Sequence, residues 1–143
     1  MFIKKLFAPG NDSLLTSFAM LVLRLWLGLT MLLHHGLDKV NHFNMYATQF
    51  PNPIGIGVKP GLALVAFAET VGALLVAVGL LTRFGALTLA IDMAVAFFLV
   101  HKSLSTGGEP AFIYLAFFVF LLIAGGGKFS LDKMLFGKGQ GGR

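Results

Sequence analysis

Residues 21–36 read LVLRLWLGLTMLLHHG, an apolar run with one arginine inside it and two histidines at its end. Extended back to Leu14, the run reaches the roughly 20 apolar residues that a helix needs to cross a bilayer. A fixed cation at such depth costs at least ~2.5–3.5 kcal/mol on insertion scales, so Arg24 must have a partner within the protein. Three further apolar segments follow, at about 61–81, 84–100 and 110–126. Lipid offers no hydrogen bonds to a backbone, so all four are read as helices.

The composition agrees. Of 143 residues, 57% are hydrophobic and 12% charged, against ~25% charged in a soluble domain. A chain this short cannot hide that much apolar surface in its own core. The expected fold is therefore all-α, an integral membrane four-helix bundle in contact with the lipid bilayer. Residues 1–13 are read as an interfacial N-terminus and 14–126 as the transmembrane domain, with one long outer loop at about 38–60. Residues 127–143 are read as an amphipathic tail. The run from Leu14 is too long for a signal-peptide core and is read as a retained span.

The formal charge of +5 does not point to nucleic acid, because the cations lie between apolar runs rather than in one tract. Lys4, Lys5, Arg83, Lys128, Lys133, Lys138 and Arg143 flank one set of helix ends; Lys39, Lys59 and Lys102 flank the other. The positive-inside rule then places both termini in the cytoplasm. With no cysteine, disulfides, thiolate metal sites and dithiol chemistry are excluded. No metal ligand set is assigned.

Counting from the hydropathy edges at 1.5 Å per residue places Arg24, Glu69 and Asp92 near one middle layer. The expectation is a cluster in which Arg24 pairs with the two carboxyls. One cation against two carboxyls does not balance, so one proton is expected to stay on the acidic pair. These three are the candidates for proton or ligand chemistry. On an ideal helix His35 shares a face with Arg24, whereas His101 falls opposite Asp92. A buried arginine–carboxylate cluster also has a purely architectural reading, fixing helix register.

Four blocks resemble the DoxX family of small four-helix membrane proteins: LRLWLGLTMLLHHGLDKV, FAETVGALLVAVGLLTRFGAL, GGEPAFIYLAFFVFLLIAGGG and GGGKFSLDKML. On that resemblance Arg24, His35, Gly36, Lys39, Glu69, Thr82, Arg83, Glu109, Ser130 and Asp132 take the family's motif positions. Gly126 stands where the family commonly has proline. The resemblance implies a bacterial inner-membrane protein, with relatives that serve as subunits of quinone-linked oxidoreductases. The reading that follows is an accessory or quinone-interacting subunit working with oxidoreductase partner subunits. Its head-group contacts would be His34, His35, Lys39 and Glu109. No Gly-rich nucleotide loop or cluster ligands are evident, so electrons would come from a partner. The alternative is a non-catalytic scaffold or a small-solute or proton transport module. Transport would need a homo-oligomer, with contacts from the glycine-bearing second and third spans.

Overall fold

The computed structural model describes residues 13–137. Four of its helices are long and apolar enough to cross a membrane, within Leu14–Asn41, Val58–Val78, Thr82–His101 and Leu104–Ala124. We label the first α1 (Leu14–Asn41), the second α2 (Val58–Val78) and the third α3 (Thr82–His101). The regular part of the fourth is α4 (Glu109–Ala124), and a short α5 (Leu131–Phe136) follows. The expected interfacial N-terminus and the end of the tail lie outside the described residues. Among the described residues the chain is all-helical, as the hydropathy pattern requires.

The first helix does not stop at His35. It runs on to Asn41 through a turn of π-helix at Leu32–Gly36, carrying Lys39 with it. Glycine sets how α1 meets α2. A Cβ on Gly28 would lie 2.8 Å from the Ala73 carbonyl oxygen, and one on Gly36 would lie 2.6 Å from the Glu69 carbonyl carbon. Close backbone approach of this kind is how small residues hold membrane helices together where lipid supplies no hydrophobic drive. It also fixes the register: Gly36 sits level with Glu69. We expect Gly36→Ala to push α1 off α2, costing about 1–3 kcal/mol as overpacking does. A lower thermal-inactivation midpoint in detergent checks it; an unchanged midpoint would mean the contact is slack.

The core between the helices is built from Leu27, Met31, Val76, Leu89, Phe118 and Leu121, with alanines at the closest approaches. The outer faces stay apolar. Trp26, Leu64, Ile91, Phe98, Phe120 and Ile123 are all exposed, as lipid contact demands.

At the end of the bundle where the described residues begin and end, α2 closes on Gly79 in the left-handed region (φ 73°). Gly79 and Leu80 donate their N–H groups back to Leu75 at 2.9 and 3.0 Å, which ends the helix cleanly. Leu81, also left-handed (φ 46°), starts α3. The free N–H groups of this start point at the tail. Leu81 and Thr82 donate to the two carboxylate oxygens of Asp132, at 2.6 and 2.9 Å. Asp132 N–H donates in turn to the Gly79 carbonyl at 2.8 Å. The tail thus caps a helix 50 residues away in sequence, placing a carboxylate at a helix N-terminus, where the dipole favours it.

Candidate functional site

Arg24 belongs to that terminal end, and this corrects the sequence expectation. Its side chain is fully buried. Nη1 donates to the Val76 and Ala77 carbonyls at 3.4 and 3.2 Å, and Nη2 donates to the Phe129 carbonyl at 2.5 Å. Both acceptors on α2 lie in its last turn, where carbonyls run out of intrahelical partners, although the Val76 carbonyl also accepts from the Gly79 N–H at 3.2 Å. They lie seven and eight residues beyond Glu69 on the same helix, about 10–12 Å along the axis. The expected union of Arg24 with Glu69 and Asp92 does not occur. Depth counted from the hydropathy edge misplaced it, because the register of α1 is set by the contacts of Gly28 and Gly36 with α2. Asp132 is the acidic group whose field acts on Arg24. Arg24 Nε and Thr82 Oγ1 beside it are buried without a hydrogen-bond partner.

Glu69 finds a different cation. Lys39 Nζ donates to Glu69 Oε2 at 2.6 Å, with the two side chains only 14% and 5% exposed. Lys39 reaches Glu69 from about one turn of α1 beyond the hydropathy edge. Glu69 and Asp92 line the same space, so the acidic half of the expected cluster does come together. Asp92 is 9% exposed, and its Oδ2 is buried without a partner.

Lys39, Glu69 and Asp92 line a cavity of about 470 Å³ between the four helices, together with His35, His101 and Tyr114. His35 meets the Tyr114 ring edge-on, with centroids 6.2 Å apart, and Tyr114 stacks on the buried Phe118. The long loop supplies a roof from Phe50, Pro51 and Pro53. Three of the helices are π-wound where they border this space, at Leu32–Gly36, Ala68–Gly72 and Ala96–His101. The wider turn changes the phase of the side chains that follow. This is why His101 joins Asp92 in one cavity, although ideal α-helical spacing sets them on opposite sides.

Two of the expected contacts are elsewhere. His34 is exposed on α1 and does not line the cavity. Glu109 is exposed in the first turn of α4, bordering a shallow groove with Trp26 and Phe117. Outside the spans, Tyr46 donates its hydroxyl to Asp38 Oδ2, and this bond holds the phenol above its usual range.

A bundle of four apolar helices with charged groups turned inward defines a multi-pass membrane protein. A family model described as DoxX matches residues 19–102. The chain belongs to the DoxX family. It is similar to two proteins of Haemophilus influenzae, each described only as an uncharacterized protein. One is 31% identical over 116 residues, covering 76% of this chain and 84% of the relative. The other is 30% identical over 126 residues, covering 82% and 83%. No solved structure matches the chain.

Eight of the ten motif positions named from the resemblance fall in two places. Arg24, Thr82, Ser130 and Asp132 meet at the terminal end, where Ser130 Oγ accepts from Lys133 N–H at 3.2 Å and starts α5. Gly36, Lys39 and Glu69 meet at the cavity, with His35 beside them. The first group ties helix ends; the second surrounds space.

Proposed function

We propose that the cavity binds the polar head of a lipid-soluble ligand, of the quinone class that the family resemblance implies, and exchanges a proton with it. On this reading the chain is an accessory subunit of a membrane redox complex in the bacterial inner membrane. The observation that carries it is the unpartnered Asp92 Oδ2 beside the buried Lys39–Glu69 pair, on a residue that lines the cavity. A buried polar atom without a partner is costly, by about 1–3 kcal/mol, and a ligand with a matching polar group removes that cost. Pockets for small ligands have this make-up, apolar walls with a few convergent polar groups.

The residues divide the work by chemical type. One ammonium cannot balance two buried carboxylates, so one of the two carboxyls keeps its proton. Lys39, Glu69 and Asp92 together then hold one positive charge, one negative charge and one exchangeable proton. Lys39 and the His35 ring are donors for a ring carbonyl, and Asp92 Oδ2 is placed to exchange the proton. A bound quinone would supply the electron acceptance that the side chains lack. Cation placement supports cytoplasmic termini. Lys39 is drawn into the bundle, which leaves Lys59 and Lys102 at the loop end against seven cations at the terminal end.

Asp92→Asn tests the reading. The amide keeps the shape and stays neutral, so the thermal midpoint should stay close to wild type. Affinity for a tail-less benzoquinone probe, measured by titration calorimetry in detergent, should fall about tenfold or more, as loss of one charge-assisted bond predicts. Equal binding by both proteins, or none by wild type, would return the chain to the scaffold reading.

A further inference from the structure

A second, nearly all-apolar hollow of about 290 Å³ adjoins the cavity. It runs between α2 and α3 under the segment from Phe50 to Ile54, bordered by Gly61, Leu64, Phe67 and Ile91. Leu64, Phe67 and Ile91 are among the most exposed apolar side chains of their helices, so the hollow opens sideways onto lipid. It adjoins the polar cavity across Phe50, Val65, Asp92 and Val95, which line both spaces. Asp92 stands at the junction, nine-tenths buried, with its free oxygen.

We infer that this groove is the seat and lateral entrance for the hydrocarbon chain of a single-tailed, neutral-headed ligand whose head passes Asp92 into the cavity. The inference rests on the function proposed above and adds the ligand's shape and its route. Charge selects the occupant. The Lys39 ammonium is already matched by Glu69, and Asp92 adds a second acidic group. An anionic phosphate head would therefore meet a site with no cation to spare, whereas a neutral head with carbonyl and hydroxyl groups finds donors and an acceptor. The apolar groove in turn has no polar side chain to bond a second head group apart from Asp92, Asn52 and Thr88, and Thr88 Oγ1 already donates to the Gly85 carbonyl. Entry from lipid also needs no opening of the roof to water.

Gly61 makes the test clean. A Cβ added there meets nothing within 4 Å, and the residue sits in the first turns of α2. Gly61→Leu therefore adds bulk at the groove wall from a Cβ that itself meets nothing, and it replaces a poor helix former with a good one, so folding should not suffer. The experiment titrates wild type and Gly61→Leu, in detergent, with dimethoxy-methyl-benzoquinone and with the same ring bearing a decyl tail. The expected result is that wild type binds the tailed probe about tenfold or more tighter, as burial of a few methylenes predicts. Gly61→Leu should keep its affinity for the tail-less ring and lose the advantage of the tail.

Tail-less binding with no gain from the tail, or a gain that survives Gly61→Leu, overturns the groove while leaving the head-group site standing. Failure of wild type to bind either probe overturns both. A phospholipid that copurifies with wild type and is lost from Gly61→Leu, found by native mass spectrometry, would show a two-tailed anionic occupant and overturn the assignment.

Discussion

Arg24→Ala is expected to lower thermal stability in detergent by roughly 3 kcal/mol, with a corresponding fall in yield. The size follows from what the guanidinium holds. It is a fully buried side chain that donates to three backbone carbonyls drawn from α2 and from the segment before α5. Alanine removes the guanidinium from the Ala77 and Phe129 carbonyls, at about 1–3 kcal/mol for a buried polar group left unpaired, while the Val76 carbonyl keeps the Gly79 N–H. It also removes the positive field beside Asp132, which is the cap of α3. Two helix ends and the tail would loosen together. Lysine should restore only part of the loss, because one ammonium cannot reproduce a planar fork that reaches acceptors on two segments. Whatever fraction of Arg24→Ala remains folded should bind the tail-less probe as wild type does, since the cavity lies elsewhere. Loss of binding in the folded fraction, with stability unchanged, would mean that Arg24 acts at the cavity after all.

The helices themselves were legible because lipid imposes a simple rule. A polar backbone must satisfy itself, and long apolar runs therefore have one available shape. The inward turn of Glu69 and Asp92 followed from the same cost. Their partner did not. Hydropathy marks where a helix becomes apolar, whereas partner choice depends on how far one helix slides along another. Here a glycine at 36 against the Glu69 backbone sets that slide. Lys39 lay past the apparent end of the span and was counted with the loop, yet its long stem carries the ammonium back into the bundle. One signal did exist: Lys39 and Glu69 both stand at motif positions, as do Arg24 and Asp132. The motif listed the participants without saying which of them meet. His101 was lost for another reason, since no spacing rule announces a turn of π-helix in a run of ordinary apolar residues.

The Lys39–Glu69 pair gives the second large effect, and two single variants with their double separate stability from function. Lys39→Met should cost about 3–5 kcal/mol, the usual penalty for leaving one member of a buried ion pair alone. Glu69→Met should cost a comparable amount, because the ammonium then has lost its near partner at 2.6 Å. The double variant should recover most of the loss. Two buried apolar side chains of similar volume replace a pair that had been stripped of water, and such exchanges are often neutral or stabilising. Binding of the tail-less probe should be weak in all three, since no variant retains both the donor and the acid beside Asp92. Stability that returns in the double variant while binding stays lost would mark the pair as kept for its chemistry. If instead both single variants melt with wild type, the pair is solvated and contributes no more than a surface ion pair of ~0–1 kcal/mol. Recovery of binding along with stability would remove Lys39 and Glu69 from the head-group site and leave Asp92 to act without them.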